Sequence, residues 1–320
     1  MILVTGATGF VGIHLCLDLV ARGFRVRATG RSACPAVFVQ HAAIEYVCFD
    51  AVRSDCIGRL LSGVECVLHC AARTHVMKTA GLETQSIYNP VNVDFTVALA
   101  SQAAACGVKR FVFLSTIKVN GESSEPGQPF RAVDTPHPSD PYAVSKLAAE
   151  QGLFKLAHET SLEVVMIRAP IVYGPGVKGN FRSLIKLVKM GWPLPLGQVR
   201  NLRSLIGLSN LTDLMICCMT APAAKNSVIM ASDGRDISTS ELLLLLAAAC
   251  QVKLRLFHVP ACILFACARL LGKATVADRL LGSLQIDLEE TQQRLGWHPP
   301  YSVETQILQC IQSDWADIKE

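Results

Sequence analysis

Short apolar runs alternate with segments of helical periodicity through the first half of the chain. The first run, at residues 2–5, leads into a periodic segment at 11–20. Further strand-like runs, each separated from the next by a helix-like segment, lie at 25–29, 44–49, 65–70, 110–115 and 163–168. Strands that alternate with helices predict right-handed crossovers and a doubly wound parallel sheet, and therefore the α/β class.

The second half of the chain loses this alternation and becomes mainly helical. Apolar residues recur at helical spacing in the segments 181–190, 210–219, 239–250, 261–271, 287–295 and 302–317. A later strand-like run at 227–231 has the composition to return to the sheet. We therefore predict a sheet domain over 1–175, to which a segment near 204–236 returns, and a smaller, mainly helical domain over 176–320.

A glycine-rich turn follows the first strand directly. It reads GATGFVG and places Gly6, Gly9 and Gly12 at intervals of three. Glycines permit a tight turn and a close backbone approach, so that free N–H groups at the start of the next helix face a pyrophosphate. This unit of strand, glycine loop and helix predicts a dinucleotide-binding site.

Ligands of parallel sheets lie beyond the carboxyl ends of the strands. The residues that follow those ends here are Gly6, Arg31, Asp50, Ala71, Thr116 and Pro170. An NAD site usually has an acidic residue after the second strand, whereas Arg31 and Ser32 stand there, and a guanidinium with a hydroxyl suits a 2′-phosphate. The sequence therefore favours NADP(H), with NAD(H) as the alternative, and places Asp50 to accept a hydrogen bond from the adenine amino group.

A tyrosine and a lysine stand one helical turn apart in the stretch SDPYAVSKLAAE. Asp140 is a strong N-cap residue and Pro141 fits the first helical position, so a helix is predicted to begin there. Tyr142 and Lys146 then share one face of that helix. An ammonium held near a phenol lowers the pKa of the phenol and creates a general acid/base, although such a pair also occurs on ordinary exposed helices.

Composition argues against several classes of function. A chain of 320 residues with 51% hydrophobic content can bury a large core, and a net charge of +4 without a dense Lys/Arg run argues against nucleic-acid binding. Thirteen cysteines without a CxxC pair indicate free thiols in a reducing cytosol, and His69 and His75 are interpreted as structural, so we expect no metal site. Neither a secretory signal nor an apolar stretch of the roughly 20 residues that span a membrane is found.

Six motifs occur in a characteristic order: GATGFVG at 6–12, HCAA at 69–72, NVDFT at 92–96, LSTIKVNG at 114–121, YAVSK at 142–146 and RAPIVYGPG at 168–176. In this order they resemble the extended short-chain dehydrogenases/reductases, the NAD-dependent epimerase/dehydratase group that contains UDP-glucose 4-epimerases. The resemblance covers nearly the whole chain. It implies a Rossmann-type cofactor domain followed by a region that binds a nucleotide sugar.

The resemblance also implies roles for single residues. Tyr142 would be the acid/base on a sugar hydroxyl, Lys146 would bind the nicotinamide ribose, and Thr116 would orient the reacting oxygen. The implied cofactor contacts are Gly6, Thr8, Gly9, Phe10, Val11, Gly12, Arg31, Ser32, Asp50, Ala71, Ala72, Asn92, Tyr142, Lys146 and Pro170. The implied substrate contacts are Thr116, Asn180, Arg203 and Arg279, with Leu196 at the uracil slot.

Departures from the family pattern reduce the number of reactions that the chain is expected to catalyse. Members that eliminate water carry an Asp-Glu pair after the threonine, whereas Ile117 and Lys118 stand here, and an isoleucine cannot transfer a proton. Asn120 replaces the usual tyrosine before the glycine. Chemistry at C4 of a UDP-hexose or UDP-N-acetylhexosamine remains.

Our main interpretation is a UDP-4-keto-6-deoxy-sugar reductase of surface polysaccharide synthesis. The reasons are the features that favour NADPH and the resemblance of TIKVNG and GWPLPLG to such reductases from O-antigen (lipopolysaccharide) pathways. The alternatives are a UDP-glucose or UDP-N-acetylglucosamine 4-epimerase and a catalytically silent NADP-binding regulator.

The segment 242–271 is rich in leucine and alanine. Packing within the core or between the subunits of a homodimer explains this composition, and peripheral contact with a membrane surface is the alternative. We expect a cytoplasmic protein that forms a homodimer.

Overall fold

A computed structural model describes residues 1–51, 57–74, 83–125, 127–270, 272 and 274–312; for 83–85, 261, 274–276 and 279 only the backbone is described. The strands are β1 Ile2–Thr5, β2 Val26–Gly30, β3 Ile44–Cys48, β4 Cys66–His69, β5 Arg110–Thr116, β6 Glu163–Ala169, β7 Ile171–Tyr173, β8 Leu205–Gly207 and β9 Ser227–Met230. The helices are α1 Phe10–Ala21, α2 Ala36–Val39, α3 Ile57–Leu61, α4 Glu83–Asn89, α5 Phe95–Ala105, α6 Pro141–Glu159, α7 Gly179–Lys189, α8 Leu208–Thr220, α9 Thr239–Ala249, α10 Ala261–Leu270, α11 Ala274–Leu281, α12 Glu289–Leu295 and α13 Val303–Gln312.

Seven strands form one parallel sheet in the order β3-β2-β1-β4-β5-β6-β9. The chain proceeds from β1 to β3 on one side and then crosses to β4 on the other side of β1. This reversal of direction makes the carboxyl ends of β1 and β4 a topological switch point, where open α/β sheets bind their ligands. The predicted doubly wound Rossmann-type sheet is therefore confirmed.

Both faces of the sheet are covered by helices, which explains why its strands are continuously apolar rather than alternating. In β1, Leu3 faces the core beneath α3, α5 and α6, while its neighbour Val4 faces the core beneath α1 and α8. In β4, Val67 faces the first of these cores and Leu68 faces the second. Neighbouring side chains of a strand point to opposite faces, so one apolar run serves two hydrophobic layers.

A third core holds the helical lobe together. It includes Tyr173, Phe181, Leu246 and Ile307, and it lies beside a small parallel pair formed by β7 and β8. Helix α8 and strand β9 belong to the main sheet again: α8 packs in the core that also holds α1, and β9 pairs with β6. The predicted helices at 261–271 and 302–317 are described as far as Leu270 and Gln312. In the described part of the chain, no helix is long and apolar enough to cross a membrane.

Candidate active site

The glycine-rich loop between β1 and α1 leaves no room for side chains. Gly6 has φ +67°, and a Cβ there would lie 2.7 Å from the Cα of Ala71. A Cβ on Gly12 would lie 2.2 Å from the carbonyl oxygen of Gly6. The first turn of α1 therefore packs directly on the loop, and no side chain caps this turn at Gly9. Uncapped N–H groups beside a bare backbone cradle suit a pyrophosphate.

A groove runs along the carboxyl ends of β1, β2 and β4 and continues from this loop. Of the predicted cofactor contacts, those that line the groove are Gly6, Thr8, Gly9, Arg31, Asp50, Ala71 and Ala72. Thr29 also lines it, and within the described residues its buried Oγ1 has no hydrogen-bond partner. Because buried hydroxyls are nearly always paired, this orphaned atom and the glycine cradle both fit a polar dinucleotide in the groove.

The remaining predicted cofactor contacts lie around the groove. Phe10 and Val11 begin α1, and Phe10 packs against the core of the helical lobe. Ser32 is exposed, and its carbonyl oxygen accepts a hydrogen bond of 2.5 Å from Tyr46 Oη. Pro170 is buried directly after β6. Of the two predicted cofactor contacts after β2, Arg31 lines the groove and Ser32 does not.

Asn92 links two of the elements that form the site. Its side chain is completely buried; Oδ1 accepts from Arg73 N at 2.8 Å, and Nδ2 donates to Arg73 O at 3.1 Å and to Ser145 Oγ at 2.9 Å. Both amide donors are therefore occupied by the protein, and Asn92 ties the loop after β4 to helix α6. Its role as a cofactor contact stays a prediction.

His69 is structural, in line with its interpretation from the sequence. It is fully buried between Thr5 Oγ1 at 2.7 Å and Thr96 Oγ1 at 2.9 Å, and burial, followed by the charge of Lys146, lowers its pKa to about 3. His75 lies outside the described residues. Among the residues that are described, no group of three potential ligands could hold a metal ion.

Helix α6 begins as the sequence predicts. Asp140 is the N-cap, with Oδ1 accepting from Ala143 N at 2.7 Å, and Pro141 is the first helical residue. Tyr142 and Lys146 follow on adjacent turns of one face, and the ring of Tyr142 lies 6.1 Å from that of Tyr88, between centroids. The predicted pair is therefore presented by a rigid helix.

The predicted lowering of the Tyr142 pKa is wrong for the protein chain itself. Burial raises this pKa, and the charges of Asp140 and Tyr88 raise it further. Lys146 Nζ instead donates to Leu114 O at 2.6 Å and lies 4.1 Å from the centroid of the Phe113 ring. The ammonium, held at Leu114 and Phe113, therefore does not offset the effect of burial on the phenol.

Burial affects Lys146 in the opposite direction. It lowers the pKa of the ammonium to about 8, against the opposing influence of Cys70 and Glu150. A lysine with this pKa exchanges its proton near neutral pH. The two groups on this face of α6 are therefore a half-buried phenol that keeps its proton and a readily titrated amine.

Thr116 ends β5 at the same edge of the sheet. Its side chain is 9% exposed, and Oγ1 accepts from Lys118 N at 3.4 Å, which caps the 3₁₀ turn Ile117–Val119. In the sheet Thr116 is paired with Ala169, directly before Pro170. The hydroxyl therefore lies at the carboxyl edge, where the strand order predicts the ligand.

A buried ion pair that sequence reasoning missed supports both β5 and α6. Arg168 Nη2 donates to Glu150 Oε2 at 2.7 Å, and both side chains are at most 4% exposed. Ser115 Oγ, beside Thr116, donates to Glu150 Oε1 at 2.5 Å. Asn120 Oδ1 accepts from Arg168 at 3.0 Å, which gives this departure from the family pattern a bracing role. The available signals were an arginine in an apolar strand and a glutamate one turn after Lys146.

Apart from Thr116, the predicted substrate residues lie in the helical lobe. Asn180 is exposed at the second position of α7. Leu196 is packed in the third core, and its carbonyl oxygen accepts from Ser240 Oγ. Arg203 Nη1 donates to Gly282 O at 2.9 Å. The side chain of Arg279 lies outside the described part. Their contacts with a substrate stay predictions.

A glycine-rich cradle at the switch point of a parallel sheet, with a Tyr-x-x-x-Lys helix beside it, is the arrangement typical of Rossmann-fold oxidoreductases and epimerases. The NAD dependent epimerase/dehydratase family matches residues 2–231, and the chain belongs to this family. The resemblance predicted from the six motifs is thereby confirmed.

Relatives support the same assignment over the whole chain. A UDP-glucose 4-epimerase of Vibrio cholerae is 42% identical over 98% of this chain and 94% of its own length. A GDP-6-deoxy-D-mannose reductase of Pseudomonas aeruginosa is 27% identical, covering 98% of this chain and 96% of the relative.

Solved structures show the fold. The UDP-glucuronic acid 4-epimerase from Bacillus cereus in complex with NAD has a TM-score of 0.78 at 20% identity, and covers 97% of this chain and 94% of the other. A UDP-glucose 4-epimerase with UDP-glucose from Thermotoga maritima has a TM-score of 0.78 at 21% identity and covers 97% of both chains.

Proposed function

We propose that the protein is an NAD-dependent epimerase that inverts C4 of a UDP-hexose. The observation that carries this proposal is the 42% identity to a UDP-glucose 4-epimerase along nearly the full length of both chains. This relationship favours the epimerase, our alternative from the sequence, over the UDP-4-keto-6-deoxy-sugar reductase that was our main interpretation. Candidate acid/base residues at the carboxyl edge argue against a silent regulator.

NAD(H) would lie in the groove, with its pyrophosphate against the loop at Gly6 and Gly9. The NADP(H) preference that we predicted from Arg31 and Ser32 has no support from the relatives, whereas a solved epimerase with this fold carries NAD. Bound NAD supplies a hydride acceptor that later serves as the donor. Tight retention of the dinucleotide would suit an epimerase, because the hydride taken from the sugar returns to the same sugar.

The protein's own residues would move the proton. Tyr142 takes the proton of the C4 hydroxyl as the C4–H bond breaks, and returns it to the oxygen when C4 is reduced from the other face. The hydroxyl of Thr116 holds that oxygen in position, and Lys146 would bind the nicotinamide ribose. No net oxidation of the sugar results, so the substrate and the product differ only in the configuration at C4.

The substrate would occupy the space between the sheet and the helical lobe. We propose that Asn180, Arg203 and Arg279 bind the two phosphates, since amide and guanidinium donors suit phosphate oxygens, and that Leu196 borders the uracil. We also retain the division into a cofactor domain over 1–175, with a return near 204–236, and a nucleotide-sugar region over 176–320.

We further propose a cytoplasmic homodimer. The cytoplasmic assignment rests on the thiols: all twelve cysteines among the described residues are free, as expected in a reducing compartment.

The deciding experiment measures which coenzyme the purified protein retains and whether it needs added coenzyme for activity. Protein purified without added coenzyme is denatured and the released nucleotide is identified; a second sample receives UDP-glucose alone and is assayed for UDP-galactose. We expect retained NAD(H) and interconversion without added coenzyme.

The reductase stays the second candidate because Arg31, rather than an acid, lines the groove after β2. A coenzyme-free preparation that consumes NADPH with a UDP-4-keto-6-deoxy sugar, and does not interconvert UDP-hexoses, would overturn the epimerase.

A further inference from the structure

Lys118 follows Thr116 in the chain but binds the start of another element. Its Nζ donates to Asp140 Oδ2 at 2.5 Å and to Glu122 Oε1 at 2.8 Å. The Lys118 and Asp140 side chains are 30% and 32% exposed, so the pair is partly withdrawn from water. An ion pair in this position is stronger and better fixed than one on an open surface.

Asp140 uses its two oxygens for two different tasks. Oδ1 accepts from Ala143 N at 2.7 Å and starts helix α6, while Oδ2 accepts from Lys118. Tyr142 stands between the cap and Ala143 in the chain, as the second helical residue. The orientation of Asp140 therefore fixes the first turn of the helix that carries the phenol.

Asp140 also affects the charge at Tyr142. After burial, its carboxylate is the strongest influence that raises the pKa of the phenol. Burial alone would raise the pKa of Asp140 and lower that of Lys118. Their mutual hydrogen bond, together with the bonds to Ala143 N and Glu122 and the opposite charges, leaves the pKa of Asp140 lowered and that of Lys118 raised. The ammonium thus offsets a negative charge that would otherwise oppose formation of the phenolate.

Other charged and titratable groups around the first two turns of α6 come from four neighbouring parts of the fold. They are Tyr88 on α4, Cys70 after β4, Glu122 after the 3₁₀ turn, Arg168 on β6, and Lys146 and Glu150 on α6 itself. Arg168 and Glu150 neutralise each other in a buried pair. The ammonium of Lys118, in contrast, donates directly to the Asp140 carboxylate.

We propose that Lys118 is a positioning residue for the reaction, whose ammonium holds and neutralises the Asp140 cap and so sets both the placement and the ionisation of Tyr142. This inference rests on the proposed role of Tyr142 as the acid/base. It gives a task to the lysine that stands where water-eliminating relatives carry a carboxylate.

The test is a double-mutant cycle. It compares Lys118→Met, Asp140→Asn and the double variant with the wild type by measuring kcat/KM as a function of pH. Asparagine caps helices about as well as aspartate, so Asp140→Asn changes charge with little change in shape. Lys118→Met should move the acid limb of the profile upward by about one pH unit, Asp140→Asn should move it downward by a similar amount, and the double variant should lie near the wild type. Lys118→Arg should restore the wild-type midpoint.

Lys155→Met is the matched control, because this exposed lysine on α6 pairs with Glu159 at 3.9 Å, one helical turn along the same helix. It should leave the midpoint unchanged. If the Lys118 and Asp140 variants lower kcat/KM equally at every pH, or if Lys118→Met moves the limb downward, the proposal is wrong.

A second measurement separates this inference from the proposed function. The phenolate of Tyr142 is followed in the holoenzyme by its absorbance near 295 nm, after subtraction of the Tyr142→Phe spectrum, without any sugar. At a fixed pH about one unit below the wild-type midpoint, and not above pH 9, Asp140→Asn should raise the phenolate fraction several-fold, up to about tenfold, and Lys118→Met should lower it. Equal fractions in all variants would overturn the role of Lys118, whatever sugar the enzyme uses.

Discussion

Burial drives the two candidate acid/base groups toward their neutral forms. It raises the pKa of Tyr142 and lowers that of Lys146 to about 8. Because both shifts favour the uncharged form, a local charge that favours or opposes the phenolate acts directly on the acid/base chemistry of the site. The Lys118–Asp140 pair, only two residues from the phenol, is such a local charge.

Replacing Tyr142 with phenylalanine tests the proton transfer alone. The ring and its contact with Tyr88 remain, while the hydroxyl that would exchange the proton is lost. We expect kcat for UDP-hexose interconversion to fall by about 10²- to 10⁴-fold, with the amount of retained NAD(H) nearly unchanged. Tyr301→Phe is the control, because Tyr301 is 43% exposed and should tolerate the change. Full activity in Tyr142→Phe would contradict the assigned role.

At the scale of elements, the contact between α1 and the glycine loop depends on missing side chains. Both Gly12 in α1 and Gly58 in α3 are helical, so alanine improves helix propensity at either position. Their surroundings differ: a Cβ at Gly12 would lie 2.2 Å from backbone, whereas at Gly58 the nearest atom would be 3.8 Å away. The space around each glycine, rather than helix propensity, therefore determines the different effects that we expect from alanine at the two positions.

Gly12→Ala should consequently destabilise the protein by about 2 kcal/mol or more and reduce NAD(H) retention, because α1 must move away from the loop. Gly58→Ala should be neutral or stabilise the protein by about 0.5 kcal/mol. Urea unfolding together with quantification of released nucleotide measures both effects. A Gly12→Ala protein with normal stability and a full complement of NAD(H) would show that the close approach does not matter.

Elements with local signals were predictable from the sequence. Strand β1 and the cap at Asp140 follow from patterns within a few residues, and both lie where they were predicted. The strand pair β7 and β8 was not predicted, because three-residue strands become stable only through pairing across about thirty intervening residues. The Glu150–Arg168 ion pair and the raised pKa of Tyr142 also depend on contacts and burial that arise only in the folded chain.

For the whole molecule, the helical lobe and the sheet are joined by chain segments that cross between them. After β8, helix α8 packs in the core of the sheet and strand β9 then pairs with β6. Leu284 and Ile286, which pack with Ile117 and Met230, form isolated bridges with Arg203 and Phe130. Because each connection pairs backbone groups over long sequence separations, we expect the described chain to unfold cooperatively rather than lobe by lobe.

The buried thiols make the stability of the whole molecule sensitive to alkali. Burial raises the pKa of Cys66 and Cys70 from 9.0 to about 12, and that of Cys310 to about 11. Burial also raises the pKa of Cys16 and Cys218. A thiol that keeps its proton in the folded state contributes stability that is complete below pH 9 and is lost as pH rises toward its folded pKa.

Lys146 acts in the opposite sense over part of this range. Its pKa is about 8 in the folded protein and 10.5 when unfolded, so its contribution to stability increases between those two values. Each group changes the free energy of unfolding by at most about 1.4 kcal/mol per pH unit, and five thiols outweigh one lysine. We therefore expect the free energy of unfolding to fall by about 4 kcal/mol between pH 9 and 10.

Urea unfolding at pH 8, 9 and 10 in the presence of a reductant measures this change. Cys218→Ala should lower stability at every pH through the cavity it creates, yet make the fall between pH 9 and 10 smaller by about 1 kcal/mol. Cys106→Ala, at an exposed position, is the control and should leave the slope unchanged. Constant stability from pH 8 to 10 would mean that the thiols ionise in the folded protein, and hence that the cores around the sheet admit water, because a thiolate is not stable in a dry apolar environment.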